Sequence, residues 1–385
     1  MAPSGPSFAV QIADDWRRER VARQRRRELD PHDFERLRDA GLTRFTVPVA
    51  SGGEWVSVES SVRPLCEALR LLGAGDPSPT LVSAMHPAVL SFWLANEAPG
   101  CDEWEHQRAA VCATVAAGAQ WGTVTSEPGS GGDVTRSRAT ATPTDALQDL
   151  DVPGRRYLIT GDKHFGSGTG VCTFMLTTAI PDGEAKPAAF FIDTREIQRG
   201  REQPGFSVAK EWDGTGMSAT QSHAVRLERC AGVRIEWPDS LESLLRGAGP
   251  VNHCLFTSVV LGVLDEAVSV ARDRLAPQVH DMRAYERVEW ARATTDHWIA
   301  EQVFEGMLRA LESGDRSAAL LAGIRGKTAV AEIAEQVLLR ITRVIGGGTF
   351  SASSPFAAWF SDVRALGFLR PPWGLAYDGL IAASF

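Results

Sequence analysis

Two glycine-rich stretches in the middle third of the chain hold the side chains and main-chain amides best placed for chemistry. The first runs from Trp121 to Val134, WGTVTSEPGSGGDV, and the second from Tyr157 to Val171, YLITGDKHFGSGTGV. Each is entered from a strand-like run and sets small hydroxyls beside glycines. Glycine lacks a Cβ and tolerates positive φ, so such turns let a backbone come close to a flat or anionic ligand. Either turn alone reads equally well as a structural connection between strands. Both together, in this order, read as a binding site for something planar.

Composition narrows the class. The chain has 385 residues, 44% hydrophobic and 23% charged, which is ordinary for a globular protein of two or three units. A net charge of −8 argues against a nucleic-acid partner. Six scattered cysteines form no CxxC pair, so neither zinc nor a disulfide framework is expected. No apolar run approaches the roughly 20 residues of a membrane span, and no signal-peptide core is visible; the expected location is cytoplasmic. Only four of the 40 basic residues are lysines. GxGxxG, GxxxxGK[ST] and GxSxG are absent, which removes the Rossmann, P-loop and α/β-hydrolase readings. His297 and Glu301, spaced i,i+4, can share a metal, but a helix-surface pair is the simpler reading, and no metal is expected.

The elements that must carry these turns follow from hydrophobic period. An arginine-rich run, Trp16 to Glu28, reads as a solvated helix face. Helical patterns follow from Pro31 to Leu42, Ser60 to Leu72, Ser78 to Asn96 and Asp102 to Ala119. From Gly122 to about Pro238, short runs rich in Val, Thr, Ile and Phe alternate with turns. They predict an antiparallel sheet or small barrel of about seven or eight strands, with hairpin tips at Pro143 to Pro153 and Pro181 to Pro187. Beyond Ser240 the helical stripes return and predict a four-helix bundle. The expected fold is α+β and multidomain: a helical unit over 1–120, a central antiparallel β-barrel or sheet over 121–238, and a helical bundle over 239–385.

That order, with those turns, resembles the acyl-CoA dehydrogenase superfamily of flavoproteins over nearly the whole chain. Thr125 to Asp133 is similar to the family's TEPxxGSD turn, and Ile159 to Ser167 to its GxKxWITN segment. Trp212 to Met217 with Gln221-Ser222-His223 resembles WxxxGMRxTxS, and Arg343 to Gly347 resembles QxxGG. The resemblance implies that Thr123, Thr125 and Ser126 meet the pyrimidine side of a flavin, with Phe165, Gly166 and Ser167 beside its other rings. It also implies cofactor contacts at Arg343, Gly346 and Gly347. Flavin needs such amide and hydroxyl donors at its heteroatoms and apolar walls around the ring.

Departures from the pattern bear on mechanism. Family dehydrogenases remove a proton with a glutamate set over the ring. At one family location for it this chain has Arg370, after an RDA-like Ser361-Asp362-Val363-Arg364; at the other it has Pro250-Val251-Asn252-His253. Arginine stays protonated and cannot act as that base. The serine of GSD is Gly132, the glutamine of QxxGG is Arg343, and the RxxFG arginine is missing, so FMN competes with FAD as the cofactor. A branch of the superfamily takes reduced flavin from a separate reductase and oxygenates small metabolites without needing an α-proton base. His253, His86 and Ser167 are then candidate donors, and Arg370 a candidate for orienting an anionic substrate. His86 on its apolar helix fits a core histidine better; His164 fits a turn cap and His223 a strand position.

The leading expectation is a flavin-dependent oxidoreductase, FAD or FMN, that oxygenates a small molecule. A first alternative is an acyl-CoA or acyl-carrier-protein dehydrogenase with a relocated base, Asp378 or His253. A second is a flavin-free binding protein on a degenerate fold. The resemblance further implies a homodimer or homotetramer and no membrane partner.

Overall fold

The structure is a computed structural model that describes residues 7–145 and 151–385. Helices come first: α1 (Ser7–Arg18), α2 (Arg20–Arg23), α3 (Pro31–Asp39), α4 (Val58–Gly75), α5 (Pro77–Leu94) and α6 (Asp102–Ala116). Their starts are written in Asp-Pro pairs. Asp30 caps α3 by accepting from the His32 N–H, and Asp76 caps α5 by accepting from the Ser78 N–H, each with proline in the first turn.

The arginine-rich run is only in part the solvated face its composition suggested: Arg18, Arg25 and Arg27 are exposed, but Arg17, Arg20 and Arg23 turn inward to partners. Arg23 is 5% exposed, ion-paired to Asp33 and Asp76, and lies over the Trp16 ring. Arg17 and Arg20 both pair with Glu266. Charge counting along one helix misses this, because the compensating carboxylates come from remote segments.

Among the described residues seven strands follow: β1 (Trp121–Thr123), β2 (Thr140–Pro143), β3 (Arg156–Gly166), β4 (Phe174–Pro181), β5 (Ala188–Asp193), β6 (Phe206–Lys210) and β7 (His223–Arg234), with the four-residue helix α7 (Arg195–Gln198) after β5. Pairings β4–β2, β2–β3, β3–β7, β7–β5 and β5–β4 close a five-membered ring of strands, and β6 adds to β7. The barrel is not wholly antiparallel as expected: β1 and β2 both run parallel to β4. They share one edge of β4 end to end, so the chain leaves that edge after Val124 and returns at Ala139. The TEP-like turn is this excursion. Two runs expected as separate strands merge into β7, and the expected tip at Pro181 to Pro187 joins β4 to β5. Residues 146–150 of the other expected tip lie outside the described residues.

The last third is helical: α8 (Leu241–Leu275), α9 (Ala284–Glu312), α10 (Arg316–Ile345), α11 (Phe356–Val363) and α12 (Trp373–Ala382). The bundle borrows from the first third, since α4 and α5 pack along α8 beside α9 and α10. Residues 241–278 are long and apolar enough to cross a bilayer, contrary to the reading of the sequence, yet 78% of the apolar window is buried. Its apolar surface is the shared core: Leu255, Val259, Val263 and Ala267 are fully enclosed.

Candidate active site at the two glycine-rich turns

Aromatic packing fixes where the first turn begins. Trp121 is fully buried, stacked on Phe174 at 4.6 Å and edge-on to Trp93 and Phe191. Its main-chain N–H donates to His86 Nδ1 at 3.0 Å. His86 Nε2 lies 3.1 Å from the Thr46 hydroxyl, which itself donates to the Thr43 carbonyl. Both ring nitrogens are therefore committed, and burial pushes the imidazole down to about 3, so it stays neutral. This placement gives His86 the work of tying α5 to β1 and leaves it no free nitrogen for donor chemistry.

The two turns are bolted together underneath. As the chain departs from β4, the Thr178 carbonyl loses its strand neighbour and is met instead by Lys163 Nζ at 2.5 Å and the Ser137 hydroxyl at 3.2 Å. Lys163, fully buried, pairs with Glu127 at 2.6 Å. Glu127 also accepts from the Ser137 hydroxyl and from the N–H groups of Arg138 and Ala139. Burial would raise its carboxyl, but the Lys163 charge and these donors outweigh that and hold it below its ordinary value. Burial draws Lys163 down to about 8, with the Glu127 charge opposing. Above this pair the His164 N–H donates to the Ser126 carbonyl at 2.7 Å.

On the upper side the hydroxyls of Thr125 and Ser126 accept from Arg370 Nη2, the second at 3.1 Å. Pro372 packs over Gly132: a Cβ there would fall 2.8 Å from Pro372 Cγ, and Gly132 holds φ +82°. That contact explains why glycine replaces the serine of the resembling motif. The Pro371 carbonyl accepts from Lys327 Nζ at 2.8 Å. Lys327 is 1% exposed on α10 and is drawn down to about 7 by burial. One turn earlier, Gly323 makes room for His253: a Cβ there would lie 2.6 Å from His253 Nδ1. His253 is buried, its Nδ1 has no hydrogen-bond partner, and burial with the nearby Lys327 charge lowers it to about 3. The two positions that lack a carboxylate, 370 and 253, thus converge on one lysine.

Phe165 stands at the rim. It is 59% exposed at φ +56°, edge-on to Trp212 at 6.1 Å. A bulky residue at positive φ is costly and persists where the surroundings impose it. Gly166 ends β3 beside it, where a Cβ would press on Thr169 and Val124. The Ser167 hydroxyl is buried and bonded to Ser222 at 2.8 Å, which continues to Thr220 at 2.7 Å, so it faces a structural chain of hydroxyls. Thr123 ends β1, half-buried. His223 Nδ1 accepts from the Trp212 N–H at 2.9 Å, in keeping with its expected strand position.

Some expected residues lie elsewhere. Arg343 pairs with Glu289, and Gly346 and Gly347 end α10 in open space. At roughly 1.5 Å per residue Arg343 is about 24 Å beyond Lys327 along that helix, and the two glycines follow its end. Asp378 is exposed on α12, and Asp362 is buried under the Met217 N–H at 2.6 Å, raised to about 7 by burial. His297 and Glu301 meet Asp265, but Arg70 already supplies the cation, 2.6 Å from Glu301 and 2.5 Å from Asp265. Lys327 was invisible to motif matching. Its one signal was a lysine on the stripe Ala319, Gly323, Ala331, Ala334, Leu338 that faces the core.

No family model matches the chain. It is 24% identical to the acyl-CoA dehydrogenase YdbM of Bacillus subtilis (strain 168), over 97% of this chain and 94% of that one. It is 25% identical to dibenzothiophene monooxygenase of Mycolicibacterium goodii, over 95% and 85%. The structure superposes on FMN-bound TdsC from Paenibacillus sp. A11-2 with a TM-score of 0.79 at 17% identity, covering 97% of this chain and 95% of that one. The chain has the acyl-CoA dehydrogenase fold. Beside the two turns, Arg370 and His253 stand at the two positions where the resemblance implied a carboxylate, with Lys327 close to both.

Proposed function

We propose that this protein is a flavin-dependent monooxygenase that uses reduced flavin, supplied by a separate reductase, to oxygenate a small molecule. One observation carries the reading: the two turns are kept and locked to each other, while positions 370 and 253 hold a guanidinium and an imidazole lowered to about 3. The guanidinium stays protonated and cannot take an α-proton, and neither position offers the carboxylate that the resembling dehydrogenases use. The relative named as a monooxygenase and the FMN-bound structural neighbour support it.

The residues present fit a flavin. The open Phe165 ring at the rim offers an apolar wall, and the hydroxyls of Thr125 and Ser126 have only Arg370 as a donor to displace or share. Thr123 and Gly166 would complete the cradle, while the Ser167 hydroxyl stays engaged by Ser222. Bound reduced flavin supplies the electrons that activate dioxygen. The chain's own part is to orient the substrate with Arg370, to hold that loop with Lys327 and Pro372, and to keep water from the ring with Phe165 and Trp212. His253, with an uncommitted Nδ1, is the residue placed to hold a proton. FMN is the favoured cofactor, because a structural neighbour is FMN-bound and the residue at the glutamine position of QxxGG, Arg343, is engaged by Glu289.

The protein acts as a cytoplasmic homodimer or homotetramer, built from units close to 1–120, 121–238 and 239–385. Tyr285 and Val288, one turn apart on α9 and each about half exposed, supply an apolar patch for self-association. Light scattering that gives a monomer mass would overturn this part.

The test of the reaction is to mix the protein anaerobically with reduced FMN, add oxygen, and follow the absorbance. A transient spectrum distinct from both reduced and oxidised flavin is expected. Immediate reoxidation, with bleaching of the oxidised flavin by an acyl thioester, would favour the dehydrogenase alternative; failure to bind flavin in either state would favour a flavin-free binding protein.

A further inference from the structure

Two of the chain's four lysines, Lys163 and Lys327, are fully buried, and both lie against the loop or turn that Arg370 joins. Lys163 has Glu127. Lys327 has a single carbonyl, and Arg370 has two neutral hydroxyls; neither forms an ion pair among the described residues. Asp133 is the carboxylate whose field reaches Arg370, but its Oδ1 is engaged by the Thr135 N–H at 2.9 Å and hydroxyl at 2.6 Å. Arg370 Nε is buried with no hydrogen-bond partner among the described residues. Burial lowers the guanidinium to about 10, with Asp133 opposing, and it is still charged at neutral pH.

Arg370 as a whole is partly exposed, but its Nε is shut off from solvent, and a cation held at such a site without its anion is costly, as is a donor left unpaired. Such a group is retained where a ligand supplies the missing charge. Guanidinium presents paired N–H donors in a plane, which matches an anion with two acceptors in a plane. The loop is held for that purpose from both ends of the prolyl pair, Pro371 by Lys327 and Pro372 by the bare face of Gly132.

We propose that Arg370, positioned by Lys327 and Gly132, is a seat for a planar two-acceptor anion at the flavin site. This rests on the flavin reading above. Two sources offer that chemistry: a carboxylate-type group on the substrate, or the deprotonated pyrimidine edge of reduced flavin. Arg370 exchanges one or both hydroxyl contacts for the anion, and Lys327 keeps the loop from following it.

The test compares binding, not turnover. Oxidised and anaerobically reduced FMN are titrated into wild-type protein and Arg370→Gln. The FMN-loaded protein is then titrated with benzoate and with benzamide, its neutral isostere. If the flavin edge is the anion, Arg370→Gln loses about tenfold or more for reduced FMN and about twofold or less for oxidised FMN. If the substrate supplies it, wild type prefers benzoate to benzamide by about tenfold and Arg370→Gln erases the preference. The seat is overturned when wild type binds FMN but shows neither preference, or when Arg370→Gln leaves both intact. Wild type that binds no FMN in either state sinks the flavin reading instead. The benzoate comparison needs no variant, so misfolding of Arg370→Gln does not block it. Arg370→Lys keeps the charge without the fork and is expected to retain part of whichever preference is seen; retention of all of it in both variants overturns the seat.

Discussion

Glu127 and Lys163, one from each glycine-rich turn, form a buried ion pair 2.6 Å apart beneath the candidate site. Residues 36 positions apart are thereby made into one rigid floor, with the Thr178 carbonyl of β4 as the third corner. Removing one partner strands the other in a dry place. Lys163→Met is expected to cost about 3–5 kcal/mol, and Glu127→Gln a comparable amount, by chemical denaturation. The double variant Glu127→Leu with Lys163→Met is expected to recover part of that loss. A single variant within about 0.5 kcal/mol of wild type would show the pair to be dispensable.

Restoring the serine of the resembling motif tests the packing of the Arg370 loop. Gly132→Ser meets positive φ and the Pro372 ring together. The expected loss is about 1–3 kcal/mol, accompanied by weaker flavin binding. Gly131→Ser is the matched control for turn flexibility, since a Cβ at Gly131, also at positive φ, meets open space. Equal flavin affinities in the two variants would remove Pro372 from the argument.

Lys327 carries a pH signature. Its ammonium falls from 10.5 to about 7 on folding, so between those values the unfolded chain binds the extra proton. The neutral form favoured by the fold is then lost as pH falls, and wild-type stability rises from pH 7 toward 10.5. Relative to Lys327→Met, which lacks the group, wild type is expected to gain about 1.4 kcal/mol per pH unit over that window. Parallel stability profiles for the two proteins would show that Lys327 is not buried as a lone cation.

The two buried histidines are expected to respond differently. His86→Phe breaks the bonds to the Trp121 N–H and the Thr46 hydroxyl. It should lower stability by about 1–3 kcal/mol while the folded fraction keeps its turnover. His253→Phe removes no hydrogen bond at Nδ1 and should cost little stability, yet should lower turnover per bound flavin. A per-flavin rate unchanged in His253→Phe would make that residue packing alone.

Local pattern was enough for the helix–strand–helix order and the two turns, and motif resemblance pointed to the fold. Helical period, Asp-Pro starts and β-branched runs act over a few residues, and Thr125, Ser126, Phe165 and Gly166 sit in motifs legible as strings. Gly132 in place of serine and Arg370 in place of a carboxylate were equally visible as departures. Tertiary structure alone decided what those departures mean. Burial of Lys327 and the release of Nδ1 on His253 arise where α8 meets α10, across more than 70 residues. The commitment of His86 and Ser167 to structural bonds depends on partners in other elements, Thr46 and Ser222. The inward arginines near the start followed the same rule, Arg17, Arg20 and Arg23 being met by Glu266, Asp33 and Asp76. Charge, hydrogen bonding and solvent exposure are properties of neighbourhoods in space. A sequence specifies which groups are present, and only packing determines which of them are left without a partner.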